Sequence, residues 1–123
     1  MKLDDLEIYN LSMIFSDKVW EAVKLWEYFA KDTIGKQWVR AADSISANIS
    51  EGFGRYSFTD SRRFYYIARG SLYESKTWLE KAKNRHLISE ELHKTLFSEL
   101  NIIGYKLNKF IKTQTLFMSQ NNK

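Results

Sequence analysis

The 123-residue chain contains no cysteine and no proline, and only five glycines and two histidines. Without cysteine there is neither a disulfide framework nor a thiolate metal site. Without proline nothing in the chain forces a helix to stop by losing its N–H. His86 and His93 lie seven apart and lack the i, i+4 relation of a helical metal pair. No third ligand accompanies them, so surface histidines are the expectation, with no metal and no cofactor. No apolar run approaches the ~20 residues of a membrane helix. The first residues, MKLDDLEIYN, are acidic and broken by polar side chains, unlike a signal peptide. A soluble, cytoplasmic protein is expected.

What is present is hydrophobic residues at 44%, charged residues at 28%, and a net charge of +4 that is unevenly spread. Residues 1–35 hold four basic and seven acidic side chains, residues 36–86 ten and five. All six arginines fall in that middle section. Such a segment suits polyanions, or ion pairs across helix interfaces.

Apolar spacing is helical throughout. A first helix is expected from about Asp4 to Phe29, with Ile8, Leu11, Phe15, Val19, Ala22, Trp26 and Phe29 in one stripe. Tyr9, Met13, Trp20 and Val23 form a second stripe, so burial on two sides is expected. The break is expected at KDTIGKQ, where Asp32 or Thr33 is a plausible N-cap. The second helix then carries Ile34, Trp38, Ala41, Ile45, Ile49 and Gly52 inward, runs to about Gly52 and is broken by Gly54. Ser57 and Asp60 resemble a capping box before a third helix, from about Thr59 to Asn84. Its seam is read as Phe64, Ala68, Ser71, Ser75, Trp78 and Ala82. Ser89 caps a fourth helix whose inner face is Leu92, Leu96, Leu100, Ile103, Leu107 and Phe110. Short connections give an all-α, up-down-up-down antiparallel four-helix bundle. It forms one domain over 1–118, with a frayed, flexible tail over 119–123. Small residues along the second helix let axes approach, with Trp38 and Trp78 facing small partners. Gly70 and Gly104, inside helices, point to close backbone crossings.

Nothing in the sequence assembles a catalytic set, so a non-enzymatic protein is expected. Ser44, Ser46 and Ser50 have no neighbouring histidine as base, and GFG lacks the strand and glycine pattern of a phosphate loop. Two polar faces stand out instead. On the second helix, Gln37, Arg40, Ser44, Asn48, Glu51 and Arg55 share a stripe beside the core, with Glu51 and Arg55 in the favourable i, i+4 order. On the third, Arg62, Tyr66, Arg69, Tyr73, Lys76 and Lys83 fall together, interrupted by Glu80. Cations alternating with tyrosines hold phosphates and stack bases. The same pattern serves a subunit or protein interface, or a plain solvated face. The candidate nucleic-acid residues are Arg40, Arg55, Arg62, Arg63, Tyr66, Arg69, Tyr73 and Lys76. Asn48, Glu51 and Arg69 are expected as a polar cluster between helices or subunits.

The strings TIGKQWVRAADSISANISEGFGR and YIARGSLYESKTWLEKA resemble the four-helix-bundle family of the 23S rRNA intervening-sequence proteins. The resemblance extends to accessory proteins of diversity-generating retroelements and covers about residues 5–118. It is carried by Arg40, Ala41, Ser44, Ile45, Asn48, Ile49, Glu51, Gly52, Gly54 and Arg55, then Arg69, Gly70 and Ser71. It implies an antiparallel four-helix bundle assembled as a ring-like homopentamer. For the retroelement members it also implies binding of nucleic acid and of a reverse transcriptase through a positive surface. For the intervening-sequence members it suggests a connection to RNA.

Overall fold

The computed structural model describes residues 1–121, with side chains through Met118. Among the described residues the chain is all-α, with four long helices and no strand: α1 (Glu7–Val23), α2 (Lys36–Phe53), α3 (Phe58–Asn84) and α4 (Glu90–Asn121). Successive helices pack on one another and α1 also packs on α4, which makes a helical bundle. None of these helices is long and apolar enough to cross a membrane. The tail expected over 119–123 is helical as far as Asn121, and residues 122–123 lie outside the described residues.

The α2 stripe is buried as its spacing predicts: Ile34, Trp38, Ala41, Ile45 and Ile49 are in the core, with Gly52 beside them. Ser57 Oγ accepts the Asp60 N–H at 3.2 Å and Ser89 Oγ the Leu92 N–H at 3.0 Å, so both expected caps form. On α4, Leu96, Leu100, Ile103 and Leu107 are buried, while Leu92 and Phe110 sit half-buried at the two ends.

Two expectations are corrected. First, α1 ends at Val23, short of Phe29. The chain turns through Lys24–Glu27, with Glu27 extended, and Trp26 folds inward to stack on Trp38 at 5.9 Å between ring centroids. A helical turn (Tyr28–Ala30) and a π-helical turn (Lys31–Gly35) lead straight into α2. Asp32 and Thr33 are therefore not N-caps. Asp32 pairs with Lys36 at 3.4 Å, and the Thr33 hydroxyl donates to the Phe29 carbonyl at 2.7 Å. Gly35 serves contact here, since a Cβ on it would meet Val23 Cγ1 at 2.8 Å. Phe29, Trp20 and Met13 remain exposed, so α1 does not bury two faces within one chain.

Second, the α3 seam is half as expected, at Ala68, Ser75 and Ala82, while the alternate positions move on by one, from Phe64, Ser71 and Trp78 to Tyr65, Leu72 and Leu79. Ser61, Tyr65, Ala68, Leu72, Ser75, Leu79 and Ala82 are buried, again at four-three spacing. Phe64, Ser71 and Trp78 lie half-buried at its margin. Phe64 is held there by the Arg55 and Arg63 guanidiniums, 4.6 and 4.9 Å from its ring, and Trp78 by an indole N–H donated to Glu74. Trp38 does face a small partner: its indole N–H donates to Ser75 Oγ at 3.1 Å in the core. Gly104 makes ordinary contact with Leu72, and Gly70 lies open, so neither glycine marks a close crossing within the chain. The close crossing is at Gly52, where a Cβ would lie 2.6 Å from the Tyr65 ring.

α3 ends in a Schellman motif: the Leu87 N–H bonds the Ala82 carbonyl and the His86 N–H that of Lys83. The motif needs a left-handed residue, and His86 supplies it at φ 59°. A side chain with a Cβ is strained there by ~1 kcal/mol or more. His86→Gly is expected to raise the urea midpoint, by about 0.5–1 kcal/mol of stability, with m unchanged.

Candidate nucleic-acid interface

α3 presents Arg62, Tyr66, Arg69, Tyr73 and Lys76 at alternating steps of four and three residues. That is one helical face roughly 21 Å long. It flanks the buried seam at one residue's remove: Arg62, Arg69 and Lys76 are half-buried, while Tyr66 and Tyr73 are exposed by 45% and 56%. The Arg69 guanidinium sits 5.0 Å over the Tyr66 ring and the Lys76 ammonium 5.4 Å over Tyr73. Each tyrosine thus carries a cation beside its ring while retaining exposed surface. Arg62 lies 5.7 Å over Phe58. A shallow depression at the N-terminal end of the stripe is lined by Thr59, Arg62, Arg63, Tyr66 and Ile67.

Charge availability divides the candidates. Arg55, just beyond the end of α2, is paired with Glu51 at 2.6 Å, and Arg63 with Asp60 on α3 at 3.5 Å, both exposed pairs. Among the described residues Arg40, Arg62, Arg69 and Lys76 make no ion pair. Arg69 donates instead to Asn108 Oδ1 on α4 at 3.2 Å, which fixes its direction without neutralising it. Arg40 is exposed on α2, and no hydrogen bond ties it to the stripe. Lys83 approaches Glu90 at 4.0 Å, so the unpaired part of the stripe runs from Arg62 to Lys76.

The expected cluster of Asn48, Glu51 and Arg69 does not come together within the chain. Asn48 donates to the Ser44 carbonyl of its own helix, Glu51 accepts from Arg55, and Arg69 turns to α4. Glu80 does not simply interrupt the cationic face, and His93 is not a surface histidine. His93 Nε2 meets Glu80 Oε1 at 2.7 Å, linking α4 to α3, and its ring stacks on Phe97. The histidine side chain is 12% exposed. Asn108 and this pair escaped sequence reasoning, because neither spacing nor composition links residues 39 and 13 positions apart. Among the described residues no group of three or more His, Asp or Glu could hold a metal ion.

Burial pushes the Tyr65 phenol up, which keeps it neutral against Phe110. Partial desolvation also raises Asp43, an exposed residue of α2, with a smaller push from the Asp17 carboxylate on α1. A carboxyl raised on folding favours the protonated, folded form. Its contribution is present in full below its unfolded value of 3.8 and is lost as pH rises through the higher folded value. Asp43→Asn is therefore expected to raise the melting temperature at neutral pH. The difference from the parent should close as pH falls toward 3.8, as followed by thermal melts across pH.

The family model for 23S rRNA-intervening sequence protein matches residues 4–109. The fold resembles the crystal structure of a protein with unknown function from the S23 ribosomal protein family of Bacteroides thetaiotaomicron VPI-5482. The TM-score is 0.77 at 24% identity, covering 85% of this chain and 98% of that one, a likeness of fold. No curated protein matches the chain.

Proposed function

The chain belongs to the 23S rRNA-intervening sequence protein family, and on that premise we propose that it is a non-enzymatic, homo-oligomeric bundle that binds RNA or DNA weakly through α3. The observation that carries this reading is the run Arg62–Tyr66–Arg69–Tyr73–Lys76, with its cations unpaired and both tyrosines exposed. Cations neutralise phosphates and release counterions, while tyrosine faces stack bases without regard to sequence. Arg40, Arg55 and Arg63 add charge around it, the last two only by exchanging weak surface pairs. The protein acts in the cytoplasm as an accessory to a nucleic-acid-processing protein, for which a reverse transcriptase is one kind of partner.

Assembly is supported by a separate observation. Ile14, Leu25, Phe29, Phe97 and Tyr105 are all more than 40% exposed, apolar side chains that a second copy can cover. A ring-like homopentamer, as the resemblance implies, would cover some of them and align several α3 stripes. This surface favours a second reading, a protein-interaction scaffold in which the Arg/Tyr face is itself a subunit or partner contact. Binding of labelled RNA and DNA measured across a salt series, alongside light scattering, tests both. Affinity that ignores salt would reject the phosphate-based mechanism.

A further inference from the structure

We propose a second ligand site, on the α1–α2 side of the bundle, that takes a single nucleotide with its base against Trp20 and its phosphate among Lys24, Lys31 and Lys36. The cleft there has a volume of about 290 Å³ and is lined by Trp20, Val23, Lys24, Lys31, Lys36 and Val39. Its apolar lining is an indole, 56% exposed, with buried Val23 and half-buried Val39. The other three lining residues are all lysines. An apolar surface with a cationic surround selects a flat ring that carries negative charge.

The backbone explains why the lysines meet. Five residues apart on an α-helix, Lys31 and Lys36 would point about 140° apart. In the π-turn the Lys36 N–H donates to the Lys31 carbonyl, an i→i+5 bond that places the second lysine one turn beyond the first. Both then border one cleft, and Lys24, at the end of α1, borders it too. Lys24 is paired with Glu21 at 2.6 Å and Lys36 with Asp32 at 3.4 Å. All four of these side chains are about half exposed, so the pairs are weak and exchangeable for a phosphate carrying nearly two charges. Lys31 makes no ion pair among the described residues. The volume decides the size of the ligand. It lies at the lower limit of ligand pockets, room for one ring system rather than a run of stacked bases.

The site is independent of the α3 stripe and stands or falls separately. The test is a ¹H–¹⁵N NMR titration of the full chain with adenosine 5′-monophosphate, adenosine and ribose 5-phosphate. The chain has four indoles, and Trp20→Phe assigns the relevant one. AMP is expected to shift the Trp20 indole N–H and the amides of 31–36, and to bind more tightly than either fragment. Trp20→Ala should weaken AMP by about fivefold or more, as loss of one stacked base does. Lys31→Glu with Lys36→Glu should bring AMP down to the affinity of adenosine. Lys112→Glu, an equal charge reversal on an exposed position of α4, should leave AMP binding unchanged. A 5′-phosphorylated tetranucleotide moving the same indole would place the nucleotide at a strand end; a response to AMP alone would make it a free nucleotide. An unmoved Trp20 indole, ribose 5-phosphate binding as tightly as AMP, or undiminished binding by Trp20→Ala would each overturn the proposal.

Discussion

Gly52→Ala is expected to destabilise the protein by about 1–3 kcal/mol, although it adds one methyl to a helix and improves helix propensity. Propensity alone predicts the opposite sign, a gain of about 1 kcal/mol. Packing reverses it. The new Cβ would lie 2.6 Å from Tyr65 Cε1 and 2.9 Å from the Ser61 carbonyl oxygen. The ring could swing, but the carbonyl belongs to the α3 backbone and can yield only if the helices part. Tyr65 meets Phe110 of α4 edge-on at 5.2 Å, and a ring displaced into the cleft that both border gives up part of that contact. Urea denaturation should show a lower midpoint with an unchanged m value. A double-mutant cycle isolates the cause: Tyr65→Ala should cost less stability in the Gly52→Ala background than in the parent. Additive losses would place the strain elsewhere.

That contact also shows where sequence periodicity stops being informative. The α2 stripe was legible at Ile34, Trp38, Ala41, Ile45, Ile49 and Gly52, which repeat on one face with little apolar competition, while the small residues Ala42 and Ser46 widen it. On α3 Ala68, Ser75 and Ala82 were legible, but which neighbours fill the alternate positions was not. Phe64 and Tyr65 are adjacent aromatics, and Trp78 and Leu79 adjacent apolar residues, so the local pattern fits two rotations equally. Neighbouring helices settle the choice: Gly52 opens a notch for Tyr65, while two guanidiniums hold Phe64 at the margin. The end of α1 was misplaced for a related reason. Trp26 continues the α1 stripe by spacing, yet it stacks on Trp38, which requires the chain to turn first. A π-turn carries no residue-type signal in TIGK, so the convergence of Lys31 and Lys36 could not be read ahead of the backbone.

The α3 face was legible because exposed helix positions answer to spacing alone. Its free charge was not. Glu51 and Arg55 pair at the end of α2 and were readable from their i, i+4 spacing; Arg69 meets Asn108 only because α3 packs on α4.

Arg62→Glu combined with Lys76→Glu is expected to cut nucleic-acid affinity by roughly tenfold or more for each reversed charge at low salt. It should also flatten the salt dependence of log K by about 0.7 per lost phosphate on single strands and about 0.9 on duplex. Folding should survive. Neither residue has an ion-pair partner among the described residues, so reversal orphans no buried charge. The principal loss is the cation–π contact of each with Phe58 and Tyr73, about 0.5–1 kcal/mol at an exposed site. Tyr66→Ala with Tyr73→Ala separates the second half of the mechanism. It should weaken single-stranded binding through lost stacking while leaving the salt slope intact. Light scattering on the same samples decides between the two readings of the face. An intact oligomer with lost binding assigns Arg62 and Lys76 to phosphates. An oligomer that falls apart on reversal assigns them to a subunit contact, and nucleic-acid binding through α3 is then rejected.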